Sequence, residues 1–283
     1  MIGLSRVAEM RLGPLKIGNR NRLVLVAGPA LLESETLAIE VATSLRDLCR
    51  SLRIGYVFRS AFDKGARTRA AAERGPGIER GLEIVARVRA EVEVPTVLEV
   101  CELDQIAPVA EAADGLQVPG HACRRTDLLR ACAATGRATI LVKGDSISPW
   151  QMRELAAKGG GGEGSVMVAE GGTVFGYGNR VFDLRSVAVL RAGRLPVLLD
   201  LSRAVALPGA GVDGGSGGRR EFARHLARGA AAVGIDALAC DAHPDPERAM
   251  CGRATQIPLG EMKGLMMEVL AVDRAVRAGA DFT

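Results

Sequence analysis

Residues 56–77 read YVFRSAFDKGARTRAAAERGPG, and this stretch decides the fold. An apolar run of strand-forming residues, Tyr56–Phe58, gives way at once to a cationic loop. A buried strand that opens into such a loop suits binding of a polyanion at the strand's carboxyl end, because lysine offers a point charge and arginine a planar fork of donors. Within the loop, Asp63 stands next to Lys64 and is a candidate to orient that lysine. A solvated loop of an arginine-rich protein is the alternative reading.

The same layout of an apolar strand followed by a charged loop recurs along the chain. Strand-like runs cover Leu23–Ala27, Tyr56–Phe58, Thr96–Val100, Gly115–Val118, Thr139–Val142, Ser165–Val168, Pro196–Leu199 and Ile235–Cys240. Helical patterns lie between and after them, near 34–52, 77–91, 104–112, 125–134, 149–157, 182–191, 219–229 and 259–277. Strands and helices in this alternation and number predict a (β/α)8 TIM barrel of the α/β class. A Rossmann-type sheet also alternates but usually stops at about six strands.

A short β-hairpin is predicted ahead of the barrel. Residues 5–20 contain two short strand-like runs around Gly13-Pro14, and a turn follows at Gly18-Asn19. We therefore expect an N-terminal hairpin extension over residues 1–21 and a single barrel domain over residues 22–283.

Composition limits the classes of function. The net charge of the 283-residue chain is only +4 and its arginines are spread along it, so nucleic-acid binding has little support and small anionic substrates fit better. The six cysteines show neither a C-x-x-C pair nor zinc-ligand spacing, which is typical of reduced thiols. The sequence shows no signal-peptide pattern and no apolar run long enough to span a membrane. A cytoplasmic protein with no membrane partner is expected.

The carboxyl ends of barrel strands carry the candidate site residues, because barrel chemistry is located at that face. These residues include Arg59, Gln117, Lys143, Arg203 and Asp241. After strand seven, the segment 209–220 (GAGVDGGSGGRR) precedes a helix, and loops in this place often bind phosphate. Ser216 and the two glycines after it would then offer backbone N–H groups; a mobile lid without an anion is the alternative.

Several motifs, in order over nearly the whole chain, resemble the 3-deoxy-D-manno-octulosonate 8-phosphate (KDO 8-phosphate) synthases. They are VAGPALLES, YVFRSAFDKGARTR, ERGPG, LQVP with RRTDLL, ISPWQM, FGYGN, SGGRR and AHPDPERAMC. The resemblance implies condensation of phosphoenolpyruvate with arabinose 5-phosphate and release of phosphate. It also implies a cytoplasmic homotetramer that serves lipopolysaccharide biosynthesis.

The resemblance also assigns roles to individual residues. Lys64 matches a lysine beside the reacting carbons, and Lys143 matches a lysine on strand five. Arg67 and Thr68 match the pair that holds the pentose phosphate, and Arg59 stands where the family has lysine. With Asp63, the two lysines are the predicted catalytic residues. Gln117, Arg203, Asp241 and Ser216 join Arg59, Arg67 and Thr68 as predicted substrate-binding residues.

The chain departs from the family pattern at several positions. Gly171 replaces an arginine that binds the phosphoenolpyruvate phosphate, and Arg203 replaces a histidine. Ala30 and Gly252 stand where metal-dependent relatives have ligands, so of the four ligand positions only Asp241 keeps a ligand-type side chain. No metal or other cofactor is expected. The phosphoenolpyruvate pocket is predicted to be weakened, with Arg59 and Arg203 able to replace part of the lost contacts.

Two alternatives are compatible with these departures. One is a related aldolase with a changed donor or acceptor in a specialised pathway. The other is a non-catalytic relative that binds a sugar phosphate.

Overall fold

Eight parallel strands close into a barrel in the computed structural model, which describes residues 6–160, 164–211 and 216–279. The barrel strands are β1 (Val24–Gly28), β2 (Gly55–Ser60), β3 (Thr96–Glu99), β4 (Gly115–Val118), β5 (Ala138–Val142), β6 (Val166–Glu170), β7 (Val197–Asp200) and β8 (Ala237–His243). Each strand pairs with its neighbours in chain order, and β8 returns to β1 in a register that joins Ala237 to Val24 and Asp241 to Gly28. This arrangement confirms the predicted (β/α)8 barrel.

Helices surround the barrel and follow the strands in order. They are α1 (Glu35–Leu52), α2 (Ile78–Val92), α3 (Leu103–Ala112), α4 (Thr126–Ala134), α5 (Gln151–Lys158), α6 (Leu184–Ala192), α7 (Ala223–Val233) and α8 (Leu259–Gly279). In α1 the side chain of Ser34 caps the helix by accepting from Leu37 N, and Ala38, Val41 and Leu45 are buried at helical spacing. None of the described helices combines the length and the apolar character needed to cross a membrane.

The predicted bounds of α7 and β8 were wrong. Helix α7 begins at Ala223 rather than near residue 219, because Arg220–Phe222 form a separate turn of 3₁₀ helix. Strand β8 continues beyond Cys240 to His243, because Ala242 and His243 pair with the two-residue strand Ile257–Pro258. Pairing with a later segment is not visible in the local pattern of β8.

The predicted N-terminal hairpin is present and closes one end of the barrel. Its strands, Met10–Leu12 and Leu15–Ile17, are antiparallel. Met10, Leu12 and Ile17 are fully buried and pack with interior residues of the barrel such as Val26 and Ile140. Burying each of these side chains stabilises the fold by about 1.5–3 kcal/mol. The N-terminal end of the barrel is therefore filled, and the C-terminal end is the open one.

A buried carboxylate ties together the strands near the closure of the barrel. Asp236, which lies just before β8, accepts from Arg191 Nη1 at 2.6 Å and from Val197 N at 2.9 Å. Its backbone N–H donates to Val197 O at 2.8 Å, and its carbonyl oxygen accepts from Val24 N at 3.3 Å. One residue thus connects the starts of β7, β8 and β1.

We expect Asp236→Ala to lower the free energy of unfolding by about 3–5 kcal/mol, because it deprives a buried guanidinium of its carboxylate. The measurement is urea unfolding followed by circular dichroism. The matched control is Glu83→Ala, which removes a carboxylate that is 64% exposed and paired with Arg80. That change should cost less than about 1 kcal/mol. Equal losses in the two variants would contradict a structural role for Asp236.

Candidate active site

A cavity of about 650 Å³ opens at the C-terminal end of the barrel. Of the predicted site residues, those that line it are Arg59, Lys64, Arg67, Thr68, Gln117, Arg203, Ser216 and Asp241. Asp145, Arg180 and Asp200 also line it. Cationic and acidic side chains therefore meet in one open cavity at the face where barrel chemistry is located.

Arg59 is the central cation of this cavity. It is only 5% exposed, and its guanidinium donates to Asp241 Oδ1 at 2.6 Å, Asp200 Oδ2 at 3.3 Å and Gln117 Oε1 at 3.3 Å. Burial opposes the charge, but the two carboxylates outweigh it and raise the pKa of Arg59. Because these partners come from β4, β7 and β8, the guanidinium of Arg59 lies close to the barrel axis.

Gly28 allows the close approach of strands that this position requires. A Cβ atom at residue 28 would lie 2.3 Å from the carbonyl oxygen of Arg59. The side chain of any other residue would therefore push β1 away from β2.

Lys64 reaches the cavity from the loop after β2 and is held by a second chain of contacts. Gln117 Nε2 donates to Glu99 Oε2 at 2.8 Å, and the other oxygen of Glu99 lies 3.4 Å from Lys64 Nζ. Desolvation opposes the charge of Lys64, but Glu99 and Asp241 outweigh it and raise the pKa of the amine. Lys64 is therefore a protonated cation at neutral pH.

The predicted orienting role of Asp63 is wrong. Its carboxylate accepts from Arg74 Nε at 2.8 Å and Arg74 Nη2 at 2.6 Å, while Lys64 pairs with Glu99. The backbone N–H of Lys64 also donates to Arg74 O at 2.8 Å. Asp63 thus folds the loop back on itself, which presents the exposed residues Arg67 and Thr68 to the cavity.

Lys143 does not line the cavity, contrary to the expectation for a catalytic residue at the end of β5. It is fully buried, with its Nζ 3.5 Å from Glu170 Oε1. The same nitrogen donates to Gly172 O at 3.1 Å and to Thr173 Oγ1 at 3.0 Å. Burial lowers the pKa of Lys143 and raises that of Glu170. These contacts use Lys143 to support the β6 end of the barrel.

Two arginines bracket one carboxylate on the far side of the cavity from Lys64. Arg180 Nη2 donates to Asp145 Oδ2 at 2.8 Å, and Arg203 Nη2 donates to the other oxygen, Asp145 Oδ1. Arg180 was not among the predicted site residues. The signal that would have identified it is a cation directly after the FGYGN motif, in the loop that follows β6.

Ser216 lines the cavity at the edge of a described segment; residues 212–215 of the predicted phosphate loop lie outside the described residues. Gly217 and Gly218 pair as a short strand with Ala206–Leu207. The backbone of this part of the loop is therefore engaged in strand pairing beside the cavity.

The residues at the metal positions of the family do not fit a divalent cation. A Cβ atom at Gly252 would lie 3.6 Å from that of Ala30, so two of the positions meet in space without offering a donor side chain. Asp241 already binds a guanidinium at 2.6 Å, and the position at 203 holds another arginine. A metal ion needs several oxygen, nitrogen or sulfur ligands, and it would face the repulsion of both cations.

Arg203 occupies the space beside Gly171. A Cβ atom at residue 171 would lie 2.8 Å from both Cβ and Cδ of Arg203. An arginine at position 171, which the family pattern has, would therefore displace Arg203. The two arginines are alternatives for one volume.

We expect Gly171→Ala to lower the free energy of unfolding by about 1–3 kcal/mol, because the added methyl group overpacks against Arg203. Gly260→Ala is the control, since a Cβ there has no neighbour within 4 Å and the residue lies in the first turn of α8. The control should be neutral or stabilising by up to about 1 kcal/mol. Thermal and urea unfolding measure both, and a neutral Gly171→Ala would show that Arg203 is free to move.

Comparison with known proteins identifies the family. The family model for the DAHP synthetase I family matches residues 6–277. Proteins named 2-dehydro-3-deoxyphosphooctonate aldolase are similar over nearly their full length: that of Desulfotalea psychrophila is 40% identical over 95% of this chain and 96% of its own. Those of Pelobacter propionicus and Bordetella bronchiseptica are also 40% identical, over 95% and 92% of this chain and 99% and 94% of their own. These matches confirm the resemblance that the motifs showed, and the chain belongs to the DAHP synthetase I family.

Proposed function

We propose that this protein condenses phosphoenolpyruvate with arabinose 5-phosphate, or a similar aldose phosphate, and releases phosphate without a metal ion. The observation that carries the proposal is the placement of Lys64, which Glu99 holds in the same cavity as Arg67 and Thr68. A cavity lined with fixed cations suits two phosphorylated substrates.

The sugar phosphate is assigned to the rim formed by the loop after β2. Arg67 and Thr68 are exposed there and offer a forked cation and a hydroxyl to a phosphate. Among the residues that the structure describes, no buried side chain forms a hydrogen bond or ion pair with either of them. This rim is therefore available to the substrate phosphate without first breaking a structural contact.

The proposed reaction joins the enol carbon of phosphoenolpyruvate to the aldehyde carbon of the sugar phosphate. The aldehyde oxygen receives the electron pair and a proton, water adds at the carbon that carries the phosphate, and inorganic phosphate leaves. Holding both substrates supplies proximity, and a fixed cation near the aldehyde oxygen stabilises its developing charge. Lys64 is assigned that role, because it is a cation fixed by Glu99 near the buried Arg59.

A coupled phosphate-release assay tests this function. We expect release that needs both phosphoenolpyruvate and arabinose 5-phosphate and that is unchanged by a chelator. Lys64→Ala should lower kcat/KM by about 100-fold or more, as loss of a charge-stabilising donor typically does. The control is Lys16→Ala, at the exposed hairpin lysine that pairs with Glu9. Absence of release from the unmodified protein, with or without divalent metal, would contradict the proposal.

We also propose a cytoplasmic homotetramer. The oligomer is supported by large apolar side chains exposed on neighbouring loops of the C-terminal face: Trp150 is 71% exposed, Phe175 is 68% exposed and Tyr177 is fully exposed. Exposed apolar groups of this size are typical of contact surfaces.

Sedimentation equilibrium at micromolar concentration tests the assembly. We expect a mass near four times the 29.7 kDa of one chain. Replacing both Phe175 and Tyr177 with serine should weaken the assembly if this surface forms the contact. A monomer at these concentrations would contradict the proposal.

A further inference from the structure

The Arg180–Asp145–Arg203 cluster has donors that the fold does not use. Arg180 is 95% buried at its side chain, since only 5% is exposed, and Arg203 is 23% exposed. The Nε atoms of both are buried, and no described residue accepts a hydrogen bond from either. Buried N–H groups of a guanidinium normally have an acceptor. Both arginines line the cavity, and the one carboxylate between them leaves part of their hydrogen-bonding capacity unused, which indicates an anionic ligand at this place.

The charges within the cluster do not cancel. Two guanidiniums face one carboxylate, and desolvation together with the nearby charge of Arg203 lowers the pKa of Arg180. A buried excess of positive charge is unfavourable unless an anion completes it. Asp145 is the most accessible of the three, with 37% of its side chain exposed. Its carboxylate is therefore the partner that an incoming anion can most easily displace.

The arginines are held in place independently of Asp145. Arg180 Nη1 donates to the carbonyl oxygen of Arg203 at 2.9 Å. Arg180 also lies on a two-residue strand, Arg180–Val181, that pairs with Thr173–Val174. The side chain of Arg203 lies against Gly171. The guanidinium of Arg180 therefore has an anchor that does not involve the carboxylate, and the aliphatic part of Arg203 is packed in place.

The position of the cluster separates it from the sugar-phosphate rim. Asp145, Arg180 and Arg203 follow β5, β6 and β7, whereas Arg67 and Thr68 follow β2. In a closed eight-stranded barrel, β6 is diametrically opposite β2. Arg59 lies between them and donates to Asp200, Asp241 and Gln117.

We infer that Arg180 and Arg203 form a two-arginine clamp for the phosphate of phosphoenolpyruvate, with Asp145 as an internal counter-ion that the phosphate displaces. The inference rests on the proposed function for the identity of the substrate. A dianionic phosphate has three acceptor oxygens. It can therefore accept hydrogen bonds from two guanidinium groups more fully than the single carboxylate of Asp145 does. The clamp restores the cation that the chain lacks at Gly171, and it does so with residues from two other loops.

The test is calorimetry on the intact protein with each substrate alone. Arg180→Gln and Arg203→Gln should each weaken phosphoenolpyruvate by roughly ten- to hundred-fold and leave arabinose 5-phosphate unchanged. Arg67→Gln is the matched control and should show the reverse. Unchanged melting temperatures establish that the variants fold. Unaltered phosphoenolpyruvate affinity in Arg180→Gln and Arg203→Gln, or equal weakening of both substrates, would overturn the clamp.

Asp145→Asn tests the counter-ion. The amide keeps the shape of the side chain but loses the charge that competes with phosphate, so phosphoenolpyruvate should bind more tightly. Weaker binding would overturn the displacement and show that the carboxylate is needed in the bound state. Pyruvate, which keeps the carboxylate and lacks the phosphate, should bind Arg180→Gln and the unmodified protein equally. A large loss of pyruvate binding in Arg180→Gln would assign the clamp to the carboxylate and overturn the inference.

Inorganic phosphate separates the clamp from the proposed reaction. In an Arg67→Gln background, phosphate should still bind, and adding Arg180→Gln should abolish that binding. If this holds and no condensation occurs, the proposed function fails and the clamp stands. If condensation occurs and Arg180→Gln leaves the KM for phosphoenolpyruvate unchanged, the function stands and the clamp fails.

Discussion

The buried charge of Arg59 is the constraint on which the site depends. A guanidinium that is 5% exposed near the barrel axis requires acceptors around it, and Asp200, Asp241 and Gln117 provide them from β7, β8 and β4. These residues are consequently committed to the fold of the cavity. The groups that remain for ligands are on the loops, and they include Lys64, Arg67, Thr68, Arg180 and Arg203. The buried residues at the strand ends are thus fixed by the need to neutralise one buried charge, and the cations on the loops are left for ligands.

The sequence predicted the barrel well because its strands are short apolar runs separated by helical patterns, and each run was found within a few residues of its place. The ends were less predictable wherever a distant segment decided them. Strand β8 is extended by pairing with Ile257–Pro258, and α7 begins later than predicted because Arg220–Phe222 form a separate turn. Neither feature is visible in the hydrophobic pattern from which β8 and α7 were predicted.

The sequence predicted which strand ends carry the site residues, but it did not predict which side chains form ion pairs with one another. Lys143 and Asp63 stand at the right places in the chain, yet Lys143 points to Glu170 and Asp63 binds Arg74. Which carboxylate a lysine meets depends on side-chain direction and on how a loop folds back, and residue order does not specify either. Arg180 was not predicted because it does not stand at the end of a barrel strand. A two-residue strand that pairs with Thr173–Val174 places it at the cavity.

The glycine at position 171 has to be considered together with its neighbour Arg203. Taken alone, a glycine in place of an arginine indicates a weakened anion pocket. In three dimensions the glycine is what gives Arg203 its room, because a Cβ atom at residue 171 would lie 2.8 Å from the Arg203 side chain. Glycine at position 171 and arginine at position 203 are therefore coupled by packing. Arg203, which follows β7, places a positive group in the space beside Gly171. Arg180 places a second positive group on the other side of Asp145. An anion site requires positive charge at a particular position, and side chains from several loops of a barrel can reach that position.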